Sequence, residues 1–294
     1  MKKSVLITGV ARGIGRGIAE RFLNEGYELF GTFHKSEEKA RELESIYGSD
    51  CVHLFGPYNF QNLSDTKALL EKLKSHKFNT IVSSAGMFCD EDEEKTYDDF
   101  NNFQLDRFMQ KMNCNFYTPL LLAVGLKDNI VNGGSIVIIS SNDAYSGAYA
   151  SMAYSISKSA LISLMKCLSV NYGELNVRVN SVAPGAINTD MNTREQMDIA
   201  PYFTPMSRVG EPIDVAKVVY FLASDEAAFV NGVNITIDGG YSNVSILLKA
   251  EATPALSEEL RTFIPTQPTS LKKRVHFRRF SHKGIANEGI MYKS

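Results

Sequence analysis

Tyr154 and Lys158 stand four residues apart in "AYSISKSAL" (153–161), which puts a phenol and an ammonium on one face of a helix. A free tyrosine has a pKa of about 10, too high for ready proton exchange at neutral pH. A neighbouring cation favours the phenolate, and a fall of ~2–3 units requires roughly 3–4 kcal/mol of differential interaction. So tuned, the phenol is a usable general acid/base. Ser141 ends the apolar run "SIVIISS" (135–141) upstream. Its hydroxyl can hydrogen-bond a carbonyl oxygen beside the phenol, while Ser140 is expected to face the other side of the strand. Asn115, in "MNCNFYTPLLLA", offers an amide that could hold a water near the lysine. Asn113 is its rival, and Pro119 four positions beyond Asn115 decides for Asn115. Taken singly, each of these residues has an ordinary structural explanation, as a surface pair or a strand-end cap. Their joint order is what points to proton transfer at a carbonyl or alcohol.

A second group precedes them. The first strand-like run leads into "TGVARGIGRGIAERFL", with Gly9, Gly13 and Gly15 between a strand and a helix. Gly9 can make a tight turn. Gly13 and Gly15, with Arg12 and Ile14 between and beside them, let a pyrophosphate approach the free N–H groups of the helix start. A carboxylate after the second strand would hold the ribose hydroxyls of NAD. Here "GTFHKSEE" has no acid until Glu37, and His34 and Lys35 stand in its place with Arg12 nearby. Those cations favour NADP(H) over NAD(H).

The remaining composition sets bounds. The chain has 294 residues, 44% of them hydrophobic, and a net charge of −2, so a full core can form and nothing overall favours nucleic acid or an anionic membrane. The charge is uneven: "LKKRVHFRRFSHK" (271–283) makes the end of the chain basic. Four scattered cysteines, Cys51, Cys89, Cys114 and Cys167, form no C-x-x-C pair, which excludes a zinc or disulfide framework and suggests small buried hydrophobes. No metal site is expected. The apolar stretch Val5 to Ile7 is too short for a signal peptide, and no run approaches the ~20 apolar residues of a membrane span. The expectation is a soluble cytoplasmic protein.

The elements that must carry these residues alternate. Strand-like runs fall at 4–8, 27–33, 51–55, 80–85, 135–141, 177–183 and 233–238, with helical patterns at 14–24, 36–47, 64–76, 99–126, 152–173 and 212–223. That order predicts an α/β fold, a doubly wound parallel sheet with helices on both faces. Domain limits are expected at 1–244 for the dinucleotide-binding and catalytic domain and 245–294 for a weakly structured C-terminal extension.

The chain resembles a single-domain short-chain dehydrogenase/reductase. The matching pieces are "TGVARGIG" (8–15), "SSAG" (83–86), Asn115, Ser141, "YSISK" (154–158), "VNSVAPGAINTDM" (179–191) and "RVGEPIDVAKVVYFLAS…VNGVNITIDGG" (208–240). The resemblance implies a seven-stranded sheet and hydride transfer between a nicotinamide and a carbonyl or alcohol. It makes Tyr154 the acid/base and Lys158 the residue that lowers its pKa and holds the nicotinamide ribose. Ser141 polarises the carbonyl and Asn115 completes a proton relay. Pro184 and Gly185 shape the nicotinamide end, the Ile187 backbone reaches the carboxamide, and Thr189 contacts the cofactor. Ala85 and Gly86 admit the adenosine ribose, and Asn59 stands where an Asp usually meets adenine. Ser83 and Ser84 replace an Asn-Asn pair whose asparagine ties the sheet. A homotetramer or homodimer is implied as well.

The lid between Thr189 and Arg208 holds Met191, Met197, Ile199, Tyr202, Phe203 and Met206, which with Tyr145 and Tyr149 suggest a largely apolar cleft for a small ketone or alcohol, resembling the substrates of 3-oxoacyl-thioester or other carbonyl reductases. Two rivals stand beside this reading: a catalytically silent nucleotide-binding regulator on the same fold, and a basic tail that binds nucleic acid or a membrane. The tail has few aromatics, Phe263, Phe277, Phe280 and Tyr292, which counts against nucleic acid.

Overall fold

The computed structural model describes residues 2–88, 103–147 and 152–245. Tyr149, the acidic stretch 89–100 and the tail from residue 246 lie outside them. The strands are β1 (Ser4–Ile7), β2 (Glu28–Thr32), β3 (Val52–Phe55), β4 (Phe78–Ser83), β5 (Ile130–Ile139), β6 (Arg178–Pro184) and β7 (Asn234–Ile237). They form one seven-stranded sheet in the order β3-β2-β1-β4-β5-β6-β7, every pair parallel. The helices are α1 (Gly13–Asn24), α2 (Glu37–Tyr47), α3 (Leu63–Leu73), α4 (Leu105–Met112), α5 (Thr118–Gly125), α6 (Met152–Gly173), α7 (Arg194–Phe203) and α8 (Pro212–Ala223).

The apolar strand runs serve two cores at once, because successive side chains point to opposite faces. Leu6, Ile81, Ile136 and Ile138 face Leu69, Leu122, Leu161 and Met165 of α3, α5 and α6. Val5, Ile7, Val82, Val137 and Ile139 face Ile18, Phe22, Leu43 and Val219 of α1, α2 and α8. Strand order reverses between β1 and β4, and a crevice opens there at the carboxyl ends of the strands.

Three local expectations change. The 99–126 helix is interrupted by a π-helical turn, Asn113–Tyr117, between α4 and α5. Such turns insert one extra residue and reorient side chains. The helix expected from residue 64 starts one residue earlier, as α3 behind Asn62. The lid contains a helix, α7, opened by a reciprocal Thr193–Gln196 capping box. At α8 the expected Pro212 start holds. The cysteines are not uniformly buried: Cys114 is, Cys51 is half-buried and Cys167 is exposed. Among the described residues no helix is long and apolar enough to cross a membrane, and no His/Cys/Asp/Glu group could hold a metal ion.

Candidate active site

The glycine-rich turn joins β1 to α1. Gly9 and Gly13 take positive φ, +78° and +57°, where a side chain is strained. At Gly15 a Cβ would lie 2.0 Å from the Gly9 carbonyl oxygen, so only glycine lets the helix start this close to the strand. No side chain caps α1 and its first turn has no acid, leaving the helix N-terminus open to an anion. Arg12, Gly13, Ile14 and Gly15 border a cavity of about 1140 Å³ that runs along the sheet's carboxyl edge. That cradle and volume suit a dinucleotide.

At one end of the cavity, His34 and Lys35 follow β2 and are exposed to it, with Asn59 after β3. Asn59 spends its side-chain oxygen on the Gln61 N–H at 3.1 Å, and its own N–H on Asp65 at 2.8 Å. A lid carboxylate, Asp190, reaches the same cationic end, 4.0 Å from Arg12 and 3.6 Å from Lys39. Thr8 ties β1 to the loop after β4. Its hydroxyl accepts the N–H groups of Ser84 and Ala85, both at 3.0 Å.

Ala85, Gly86, Ser141, Tyr154 and Lys158 meet further along the cavity, where β4 and β5 end. Ser141 sits at the end of β5, and Ser140 turns inward, donating to the Lys158 carbonyl at 3.0 Å. The two serines thus take different partners, and so do the two asparagines. Asn113 donates to Gln61 at 2.8 Å, away from the lysine. Asn115, in the π turn, lies behind Gly86: a Cβ there would be 3.3 Å from Lys158 Nζ and 3.4 Å from Asn115 Oδ1. Asn115 is 1% exposed, however, and its amide is spoken for. It bonds both backbone groups of Met87, at 2.8 and 2.9 Å, and gives a hydrogen to Ser157 at 3.1 Å. The Asn115 amide thus ties the π turn to the loop after β4 and to α6.

The Tyr154–Lys158 pair is close but differs from its expected form. Lys158 Nζ sits over the phenol ring, 5.5 Å from its centroid, and donates to the Ile139 carbonyl at 2.9 Å. Burial lowers its pKa to about 8. Tyr154 is pushed up, first by burial, while a hydrogen bond with Ser141 works downward and the charge of Asp143 upward. Among the protein's own groups, then, the phenol is held protonated rather than acidified. The edge of Phe88 meets its ring at 5.0 Å.

Pro184 ends β6, and Gly185 follows because a Cβ there would lie 2.6 Å from that of Asp238. Ile187 is buried and bridges to Gly210, while a Cβ at Gly13 would lie 3.3 Å from the Thr189 methyl. Met191, Met197, Ile199 and Phe203 line the cavity. Met206 borders a separate depression near Asp238 instead. Tyr145 also leaves the cleft, its hydroxyl taking a hydrogen bond from Asn234 on β7. Sequence reasoning missed Asp143, whose acid in "SSNDAYSG" stands two residues past Ser141 and lines the cavity. The signal was its spacing from Ser141.

A family profile described as enoyl-(acyl carrier protein) reductase matches residues 9–242. The chain belongs to the short-chain dehydrogenase/reductase family. It is 32% identical over 259 residues to versicolorin reductase of Emericella nidulans, covering 81% of this chain and 95% of that one. Among solved structures, a short-chain dehydrogenase of Burkholderia cenocepacia in complex with NADP matches with a TM-score of 0.75 and 27% identity over 82% of this chain and 98% of that one. BdcA in complex with NADPH matches with a TM-score of 0.71 and 28% identity, over 81% and 93%. In this family the chain is an oxidoreductase by kinship, with relatives that bind NADP(H).

Proposed function

We propose that residues 1–244 form an NADP(H)-linked carbonyl reductase domain acting on a small ketone or alcohol, with 245–294 as an extension. One observation carries the reading: Ser141, Tyr154 and Lys158 converge in the cavity that begins at the uncapped, glycine-built start of α1. When bound, NADP(H) supplies or accepts the hydride, and its oxidised ring adds positive charge near the phenol.

The chain's residues do the rest. Ser141 donates a hydrogen bond to the substrate oxygen, placing it beside the phenol. Tyr154, held protonated by burial, gives its proton to that oxygen as negative charge develops, which suits reduction. Lys158, fixed by the Ile139 carbonyl, puts a cation over the ring the phenolate would leave. Asn115 positions the loop beneath them and is a positioning residue. Arg12 and Lys35 bring two cations, with His34 beside them, to the end of the cavity where a 2′-phosphate is expected, and the NADP(H) complexes of the relatives support the same preference. The apolar lid favours a neutral substrate. Assembly as a homodimer or homotetramer accords with the kinship.

The test is NADPH and NADH oxidation against a panel of ketones, aldehydes and β-ketoacyl thioesters, with Tyr154→Phe beside the parent. The variant should bind cofactor and lose turnover by about 10²-fold or more. Full activity in Tyr154→Phe removes the assignment of the proton donor. A parent that binds NADPH yet turns over nothing favours the silent regulator.

A further inference from the structure

Asp143 lies on the short 3-10 turn Asn142–Tyr145 that leaves β5, at the substrate end of the cavity. Its Oδ2 is 3.3 Å from Ser141 Oγ, and its backbone N–H donates to that same oxygen at 3.1 Å. A serine hydroxyl has one hydrogen and two lone pairs. One lone pair is taken by the Asp143 N–H. The hydrogen can go to the carboxylate or to a substrate oxygen, and a charged acceptor within reach is the stronger competitor. Asp143 is partly buried, and no cation among the described residues contributes to its acidity: burial raises it and the Ser141 hydrogen bond lowers it. From α6 the Tyr154 phenol feels its charge, while the Lys158 ammonium is turned to the Ile139 carbonyl. Across the cavity, Met197, Ile199 and Phe203 offer no side-chain hydrogen-bond donor. The carboxylate therefore competes with a carbonyl substrate for the Ser141 hydrogen.

We propose that Asp143 selects carbonyl compounds carrying a hydroxyl or N–H beside the carbonyl. The substrate's own donor occupies the carboxylate and so frees the Ser141 hydrogen for the carbonyl oxygen. This rests on the carbonyl-reductase reading above and deepens it by naming a substrate class. A plain ketone must compete with Asp143 for the Ser141 hydrogen and offers the carboxylate no donor in return. Sites built around a substrate hydroxyl can reject the analogue lacking it by ~10⁴-fold; a partly buried carboxylate should give about 10–100-fold.

The probes are 2-hydroxyacetophenone and acetophenone, compared in NADPH oxidation by the parent, Asp143→Ala and Asp143→Asn. The parent should prefer the hydroxyketone at least about tenfold in kcat/KM. Asp143→Ala should bring the ratio to within about threefold, chiefly by raising the rate with acetophenone, and Asp143→Asn should fall between, since its amide oxygen still accepts. A parent ratio near one, or a preference that survives Asp143→Ala, overturns the proposal. Calorimetric binding of both ketones to the NADP⁺ complex keeps the two readings apart. Selective binding that is lost in Asp143→Ala, without turnover, supports this proposal while the reductase reading fails. Turnover of both ketones without selective binding or rate does the reverse. A parent that neither binds nor reduces either ketone overturns both.

Discussion

Replacing Lys158 by Met tests the most strained group in the site. The ammonium is 4% exposed, and burial lowers its pKa from 10.5 to about 8. The unfolded chain therefore binds more protons than the folded one between those two values. Stability must rise with pH in that window as the burden of the buried charge is relieved. Linkage puts that burden at about 3 kcal/mol at pH 7 and roughly half of that at pH 9.5. Lys158→Met removes it and fills similar space, but strips the Ile139 carbonyl of its donor, an opposing loss of about 1–3 kcal/mol that does not depend on pH. The net effect at one pH is thus a poor test, whereas the change between two is a good one. Reversible urea unfolding at matched protomer concentration should show the variant's advantage over the parent shrinking by about 2 kcal/mol from pH 7 to pH 9.5. A gap that stays constant, or widens, would falsify the buried-charge account of this lysine. The same variant should lose turnover at both pH values.

Two further expectations concern the cofactor. Arg12→Ala combined with Lys35→Ala should weaken NADPH binding about 10-fold or more while NADH changes little, read by fluorescence titration; equal weakening of both would remove the 2′-phosphate argument. Gly15→Ala forces a methyl to 2.0 Å from the Gly9 carbonyl oxygen, so dinucleotide binding should be lost and thermal stability lowered by several degrees, and an unchanged melting curve would mean that the turn is far softer than its geometry implies.

The parts of the fold that were legible are those in which one residue type answers to one local requirement. Val5, Leu6 and Ile7 read as a buried strand because both faces of a central parallel strand are covered, and they do divide between the two cores. Gly9, Gly13 and Gly15 were legible for the same reason, since backbone geometry alone demands them. What stayed hidden depends on contacts between distant segments. Thr8 ties β1 to the loop after β4 through hydrogen bonds to Ser84 and Ala85, some 76 residues away, and nothing in its own neighbourhood announces that. Tyr145 looked like a wall of the cleft, but Asn234 on the edge strand holds its hydroxyl elsewhere. The π turn around Asn115 was invisible because helical periodicity tolerates one extra residue without losing its apolar face.

The spacing of Tyr154 and Lys158 has a consequence that helical periodicity alone misstates. Four residues bring the lysine to the ring, but the strand decides where its charge ends: the Ile139 carbonyl takes the ammonium, and Gly86 leaves the room in which it sits. The phenol's oxygen is governed instead by Ser141, and Ser141 by Asp143. Proton chemistry in this cleft is thus distributed over two separately anchored arms. One arm is the lysine, set by β5 and the Asn115–Met87 tie, and it belongs with the backbone-built dinucleotide end. The other is the serine–aspartate turn after β5, which shares a wall with the lid. Substitutions on the second arm should change which carbonyl is accepted while the glycine turn, the lysine and the sheet keep their geometry, because the Asp143 carboxylate bonds Ser141 and its backbone bonds stay within its own turn. Within this family's shared fold, that separation gives Asp143 leverage over substrate that Lys158 cannot have.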